Sequence, residues 1–211
     1  MTSSNLSALK RYLTPAVAPV LWGGALVAGR VVSADLPPIT ITWVRFVLVG
    51  LLLVPVLWIR EGRFPRPRRT DLVALVLLSL TGVVVFNLLL FSGLQTVTAV
   101  RSSVIIALGP SVVALLLVVF FHERAERNTV FGIAVAFAGA VVTITNGRPT
   151  HILAGGISVG DAYLLGCVFS WAIYTIIARY AIRNLSSLSV LTYSSILGAA
   201  MLTPVAVRAD I

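Results

Sequence analysis

Long apolar runs alternate with short polar connections along the chain, and this pattern predicts seven membrane-spanning helices. A helical span needs about 20 mostly apolar residues, and the runs lack the two-residue alternation of barrel strands. Because backbone polar groups in hydrocarbon must pair within their own segment, such runs favour helices. The predicted spans are Leu13–Val32, Ile39–Ile59, Leu72–Phe91, Ala99–Phe121, Thr129–Thr145, Ala162–Tyr180 and Leu188–Val207. We therefore predict an all-α, polytopic membrane helical bundle.

The composition supports a lipid environment. Of the 211 residues, 58% are hydrophobic and only 11% are charged, whereas soluble domains carry about 25% charged residues. The lipid bilayer is therefore the expected surroundings of the chain. The single cysteine, Cys167, excludes an intramolecular disulfide.

The net charge of +9 could indicate a nucleic-acid partner, but the positions of the basic residues argue against one. If the N-terminus is cytoplasmic, eleven basic residues lie on the cytoplasmic side, three lie on the other side and two lie within spans. This bias is typical of membrane topology. We predict a multi-pass protein of the cell (inner) membrane with a cytoplasmic N-terminus and no nucleic-acid partner. The sequence leaves open whether the protein forms a homo-oligomer.

Three landmarks recur at a constant separation of 149 positions, which indicates an internal duplication. The pairs are Trp22 and Trp171, Arg30 and Arg179, and Pro55 and Pro204. The first copy holds five spans, an odd number, so the second copy runs with inverted topology. Inverted repeats are typical of secondary transporters, whose two halves rock about a central site.

The repeat also predicts the domain organisation. We expect a cytoplasmic tail at 1–11, a first five-helix repeat at 12–146, a linker at 147–160 and the first two helices of a second repeat at 161–211. Counterparts of spans three to five do not occur in the second copy. Roughly 85 further residues would complete it by the repeat arithmetic. We therefore expect a fragment or a truncated product.

Three stretches carry motifs of one known family. The first helix reads LWGGALVAGRVV, with a Trp-Gly and basic pattern, and the second reads LPPITITWVRFVLVGLLLVP, with a Pro and Arg-Phe pattern. Pro110, Glu123 and Gly132 form a Pro-then-Glu-then-Gly signature. In these motifs the chain resembles the EamA-type transporters of the drug/metabolite transporter superfamily. The resemblance implies ten helices, of which seven are present here, in two five-helix repeats. It also implies export or exchange of small metabolites.

Together these features favour a secondary-type transporter that exports, takes up or exchanges small metabolites or drug-like amphiphiles by alternating access. The substrate is not indicated. A truncated, non-transporting membrane protein or scaffold is the alternative. An enzyme is not expected, because no nucleophile–base pair is present and no catalytic residue is assigned. His122-Glu123 lacks the second histidine of a zinc helix, so no metal or cofactor is predicted.

Three arginines near one end of the bundle are candidates for the substrate pathway. Arg30, Arg45 and Arg101 fall in the outer parts of helices one, two and four. Charged residues within spans are costly and usually face a cavity or a partner. The arginines could form a basic vestibule for anionic or zwitterionic substrates. Alternatively, Arg30 and Arg101 reach lipid headgroups, and Arg45 binds helix-end carbonyls.

Four further pathway candidates carry aromatic rings or an amide. Trp22 and Trp171, related by the repeat, could face each other across the pseudo-axis and line a path together with Tyr174. Packing or interfacial anchoring is the alternative for these aromatic residues. Asn87, deep in the third span, is either a cavity ligand or an interhelical hydrogen-bonding residue.

Three prolines within predicted spans are helix-break candidates: Pro55, Pro110 and Pro204. Proline removes a backbone hydrogen bond and bends a helix, and interrupted helices can mark transport sites. A structural kink is the alternative.

Overall fold

A computed structural model describes residues 3–145, 147, 158–181 and 185–208, with side chains described from residue 17 in the first helix. Most of the predicted linker 147–160 lies outside the described residues.

Within the described residues the structure consists of helices joined by short connections, with no strand. The helices are α1 Ser3–Asp35, α2 Pro38–Glu61, α3 Arg69–Leu94, α4 Ala99–Phe121, α5 Arg127–Ile144, α6 Val159–Ala181 and α7 Ser187–Arg208. Each predicted span falls within one of these helices, to within one residue. The six helices α2 to α7 are long and apolar enough to cross a membrane. The predicted all-α polytopic bundle is confirmed, and α1 already begins within the predicted tail.

Local sequence explains the ends of α2. Pro38 stands at its first turn, where the absent N–H costs no helical hydrogen bond. The helix ends at Glu61 and is capped by Gly62, whose φ of 65° lies in the left-handed region that glycine adopts without a steric penalty. The prolines of the following connection, 62–68, keep it from continuing as a helix.

Two helices are irregular near the middle of the bundle. In α3 the segment Ser79–Val85 is a π-helix, a feature that often occurs at functional sites. In α4 the α-helical segments Ala99–Ile106 and Gly109–Phe121 are separated at 107–108. Pro110 lies in the first turn of the second segment and has no N–H to bond the preceding turn.

Pro55 and Pro204 lie inside α2 and α7 without interrupting them, which corrects the expectation of a break at these positions. Around Pro204 the hydroxyl of Thr203 donates to the carbonyl of Ala199 over 2.9 Å. The carbonyl that loses its helical donor to the proline is that of Ala200, four residues before Pro204, and the helix nevertheless continues through this position.

Helices α3 and α6 form the centre of the bundle. Helix α6 packs against α3 and both segments of α4, α7 packs along α2 and α3, and α1 contacts α3 and α4. Glycines permit the close approach of α3 and α6, since a Cβ atom on Gly93 would lie 2.7 Å from Cγ of Leu164. The buried cluster between these helices includes Leu90, Leu94 and Val168.

The contacts between helix ends establish the relative directions of the helices. Helix α6 begins where α3 ends, with Gly160 close to the Gly93 carbonyl, and Arg30 near the end of α1 reaches the carbonyl of Leu94 at the same level. Helix α7 begins where α2 ends, next to Glu61. The repeat-related pairs α1 and α6, and α2 and α7, therefore run antiparallel, as the odd number of spans predicts.

We call the end of the bundle where α2 ends and α7 begins the basic face, since it carries the arginines of connection 62–68. The end where α3 ends and α6 begins is the opposite face.

Candidate functional site: a central cavity

Two adjoining cavities, of about 270 Å³ and about 190 Å³, lie between the helices of the first copy and those of the second. They share the side chains of Trp22, Phe86 and Trp171. We call the two together the central cavity. The larger part is also lined by Arg45, Phe46, Val49, Gly82, Val83, Asn87, Tyr174, Leu191 and Ser194. The smaller part is also lined by Ile106, Gly109, Pro110 and Val168.

Aromatic rings form one wall of the central cavity. Phe86 lies between the two repeat-related tryptophans, with its ring centroid 6.3 Å from that of Trp22 and 5.3 Å from that of Trp171. Tyr174 stacks on Trp171 at a centroid distance of 5.1 Å. The structure thus brings the three aromatic pathway candidates into one cluster with a fourth ring, that of Phe86. Their role in a substrate path stays a prediction.

Arg45 is the main polar residue of the cavity. Its Nη1 donates to Oδ1 of Asn87 over 3.2 Å, and its guanidinium carbon lies 5.7 Å from the ring centroid of Phe46. The proposed bonding of Arg45 to helix-end carbonyls does not occur among the described contacts. Asn87 makes the interhelical hydrogen bond that one of its two alternatives describes, and it also lines the cavity, so its role as a cavity ligand stays a prediction.

The π-helical segment determines the orientation of Asn87. Its amide nitrogen donates to the carbonyls of Gly82 and Val83 over 3.2 Å and 2.8 Å. Because both bonds require an N–H donor, the amide oxygen is left to face Arg45. Gly82 is necessary for this geometry, since a Cβ atom there would overlap the ring of Tyr174.

Ser194 is a cavity residue that the sequence reasoning missed. It lies 149 positions after Arg45, which is the offset of the repeat. Applying this offset to Arg45 would have identified Ser194 as a candidate. Its side chain is 2% exposed, and its hydroxyl has no hydrogen-bond partner among the described residues. Phe86 was also missed, because nothing in the sequence distinguishes it from other apolar residues of the third span.

Arg101 does not line the central cavity but forms an ion pair at the opposite face. Its Nε and Nη2 donate to the two carboxylate oxygens of Asp161 over 2.8 Å and 2.6 Å. Asp161 is fully buried and also accepts hydrogen bonds from the backbone N–H and the hydroxyl of Ser158, both over 2.8 Å. Neither interpretation from the sequence, vestibule or headgroup contact, anticipated this pair.

The structure does not bring the three arginine candidates into one vestibule. Arg30 donates to the carbonyl of Leu94, where it satisfies the C-terminal end of α3. Its repeat-related counterpart Arg179 forms an ion pair with Glu123 at 3.4 Å, near the basic face. Of the three candidates only Arg45 lines the central cavity.

Of the helix-break candidates, Pro110 lines the smaller part of the central cavity. Pro55 and Pro204 are not among the lining residues described for it. The interruption of α4 therefore coincides with the cavity wall, whereas the two repeat-related prolines lie in continuous helices away from it.

Comparison with known proteins identifies relatives along almost the whole chain. The sequence pattern of the EamA-like transporter family matches residues 10–145 and 158–211. The chain is similar to the uncharacterized transporter YetK of Bacillus subtilis (strain 168), with 25% identity over 195 residues that make up 92% of this chain and 59% of the relative. It is also similar to the uncharacterized transporter YyaM of the same organism, with 30% identity over 79% of this chain and 54% of the relative.

A further relative carries a more specific description. It is the probable terminal-alkyne amino-acid exporter of Streptantibioticus cattleyicolor, 31% identical over 66% of this chain and 45% of the relative. No solved structure matches the chain. The chain spans between about half and three fifths of the length of the two Bacillus relatives. With both segments of the family pattern matched, this multi-pass membrane protein belongs to the EamA-like transporter family, within the drug/metabolite transporter superfamily.

Proposed function

We propose that the protein is a secondary-type transporter that moves small metabolites or drug-like amphiphiles across the cell (inner) membrane by alternating access. The observation that carries the proposal is the composition of the central cavity. Repeat-related positions line it from both sides, Trp22 with Trp171 and Arg45 with Ser194. A site at the junction of two inverted halves is reached from either side as the halves rock against each other.

The size of the cavity favours a small cargo. Its larger part measures about 270 Å³, near the lower end of the roughly 300–1,000 Å³ of ligand pockets. A metabolite of amino-acid size fits this space better than a large drug. The description of one relative as a probable amino-acid exporter supports the same size class. Ligand binding would shift the balance between inward-open and outward-open states.

We also propose that the basic face is cytoplasmic and that α1 begins there. The arginines of connection 62–68 support this orientation through the positive-inside rule.

Counterflow in proteoliposomes tests the proposal. The protein is expressed from its complete native gene, and exchange is measured for a panel of radiolabelled hydrophobic amino acids. Replacement of Trp171 by Ala should lower exchange about tenfold or more, since Trp171 lines both parts of the cavity and truncation of an aromatic residue that contacts a ligand can cost about 2 kcal/mol or more. Trp58→Ala is the matched control, because Trp58 is 54% exposed and does not line the cavity.

Two outcomes would contradict the proposal. Equal exchange by the Trp171 and Trp58 variants would remove the central cavity from the transport path. Correctly folded wild-type protein that exchanges no compound would favour the alternative, a non-transporting membrane protein or scaffold.

A further inference from the structure

We infer that the central cavity binds an amphiphile through a carboxylate, with the acid group at Arg45 and Ser194, Arg45 held in position by Asn87, and the apolar body between the aromatic rings. This inference rests on the proposed function, because it names the substrate class of the same cavity. Four observations carry it: the charge of the cavity, the orientation of its arginine, an unpartnered hydroxyl, and the arrangement of the rings.

The cavity contains a positive charge without a carboxylate. Among the described residues that line it, Arg45 is the one charged side chain. A guanidinium group carries five N–H donors and no acceptor. In the described part of the chain, Arg45 donates to a neutral acceptor, the amide oxygen of Asn87. A cation removed from water without an anionic partner is costly, so a ligand carboxylate would stabilise the occupied state.

The direction of Arg45 is fixed by its neighbours. Asn87 is 2% exposed, and its amide nitrogen is held by two carbonyls of the π-helical segment. The amide oxygen therefore holds one side of the guanidinium, and the remaining donors are available to the cavity. Asn87 acts here as a positioning residue.

Ser194 supplies a second donor to the larger part of the cavity, which Arg45 also lines. A buried hydroxyl without a partner costs free energy in the empty protein, and Ser194 is one of two such serines in the described residues. The other, Ser33, is not among the residues that line the cavity. A carboxylate bound at Arg45 would accept a hydrogen bond from the Ser194 hydroxyl, which gives this hydroxyl the partner that it lacks among the described residues.

The aromatic wall matches an apolar body. Phe86, Trp22 and Trp171 line both parts of the cavity, and the smaller part is otherwise walled mainly by apolar side chains. An acid group at Arg45 would therefore place a hydrophobic tail against these rings. The cavity combines a cationic end with an apolar end, which is the complement of an amphiphilic carboxylate.

Three matched probes test the inference: phenylacetate, phenylacetamide and the phenethylammonium ion. They share one ring and differ in charge. Binding is measured calorimetrically on the protein in nanodiscs of neutral lipid, so that anionic lipid headgroups do not compete. We expect phenylacetate to bind about tenfold or more tightly than the amide, as for hydrogen bonds to charged groups, and the cation to bind most weakly.

Variants identify the groups responsible. Arg45→Gln should abolish the preference for the acid, and Arg45→Lys should retain part of it. Ser194→Ala should weaken phenylacetate binding about tenfold while leaving the melting temperature of the empty protein unchanged or higher. Ser33→Ala is the matched control, since it removes the other unpartnered buried hydroxyl and should leave phenylacetate binding unchanged.

Equal binding of acid and amide, or an acid preference that persists in Arg45→Gln, would overturn the inference and leave the transporter proposal standing. Loss of stability in Ser194→Ala with unchanged affinity would show that the serine has a structural role only, and would overturn its place in the site. Failure of all three probes to bind a protein that still performs counterflow would also overturn the inference. Failure of counterflow itself would instead refute the proposed function.

Discussion

Replacing Asp161 by Asn should destabilise the protein more than any other conservative change of a single carboxylate. The substitution preserves shape but removes the charge that receives Nε and Nη2 of Arg101 over 2.8 Å and 2.6 Å. Removal of one partner from a buried ion pair costs about 3–5 kcal/mol. Since Arg101 keeps 22% of its side chain exposed, water recovers part of this loss, and we expect about 3 kcal/mol.

Asp71→Asn provides the matched control. Asp71 is also buried, at 2% exposure, and it accepts the backbone N–H of Arg68 at the start of α3 over 2.9 Å. Asp161 does the same for Ser158 at the start of α6. No ion pair to Asp71 is found in the described part of the chain. Its replacement should therefore lower the free energy of unfolding only by the contribution of the helix cap, about 1 kcal/mol.

Thermal unfolding in detergent measures the difference. For a chain of this length, 1 kcal/mol corresponds to about 2–4 °C, so the Asp161 variant should melt about 4–8 °C below the Asp71 variant. The double variant Arg101→Gln with Asp161→Asn should recover part of the loss, because the charge of Arg101 is then removed together with that of Asp161. Equal melting temperatures for the two single variants would refute the reasoning, since the ion pair would then contribute no stability.

Three further predictions concern packing, reactivity and energy coupling. Gly82→Ala should lower the stability of the protein by about 1–3 kcal/mol, because the added carbon overpacks against Tyr174. Gly132→Ala is the control and should not destabilise the protein, since no atom lies within 4 Å of the added carbon. Equal melting temperatures of the two variants would contradict this prediction. Cys167 is fully buried, so maleimide labelling of the folded protein should be undetectable until a denaturant is added. Because the described cavity lining contains no carboxylate, transport should continue in the presence of an uncoupler when the membrane potential is clamped, and its collapse would indicate proton coupling.

The helices could be predicted from the sequence because hydrocarbon imposes a length and an apolar composition on each span. The interruption of α4 next to Pro110 was also predictable, since proline lacks the N–H that a helix requires. The π-helical segment Ser79–Val85 could not be predicted from the sequence. The contacts made there are the two hydrogen bonds from the Asn87 amide to carbonyls of this segment and the close approach of Tyr174 to Gly82, and neither contact leaves a local pattern in the sequence.

The candidate site was predictable where a residue is costly in lipid. Arg45 and Asn87 are polar within apolar spans and therefore had to face a partner or a cavity, and both line the central cavity. The pairing of Arg101 with Asp161 was not foreseen, because the two residues are 60 positions apart and each lies at a span edge where water could solvate it. Only the packing of α6 against α4 brings them together.

Cysteine labelling from the two sides of the membrane would decide whether the repeated helices are inverted. In a Cys167→Ala background, Ser4→Cys marks the start of α1 and Ser158→Cys, at an exposed position, marks the start of α6. The structure predicts that an impermeant maleimide in intact cells labels one of these positions and reaches the other only after the membrane is permeabilised. Labelling of both positions from the same side would contradict the inverted repeat and the central cavity between its halves.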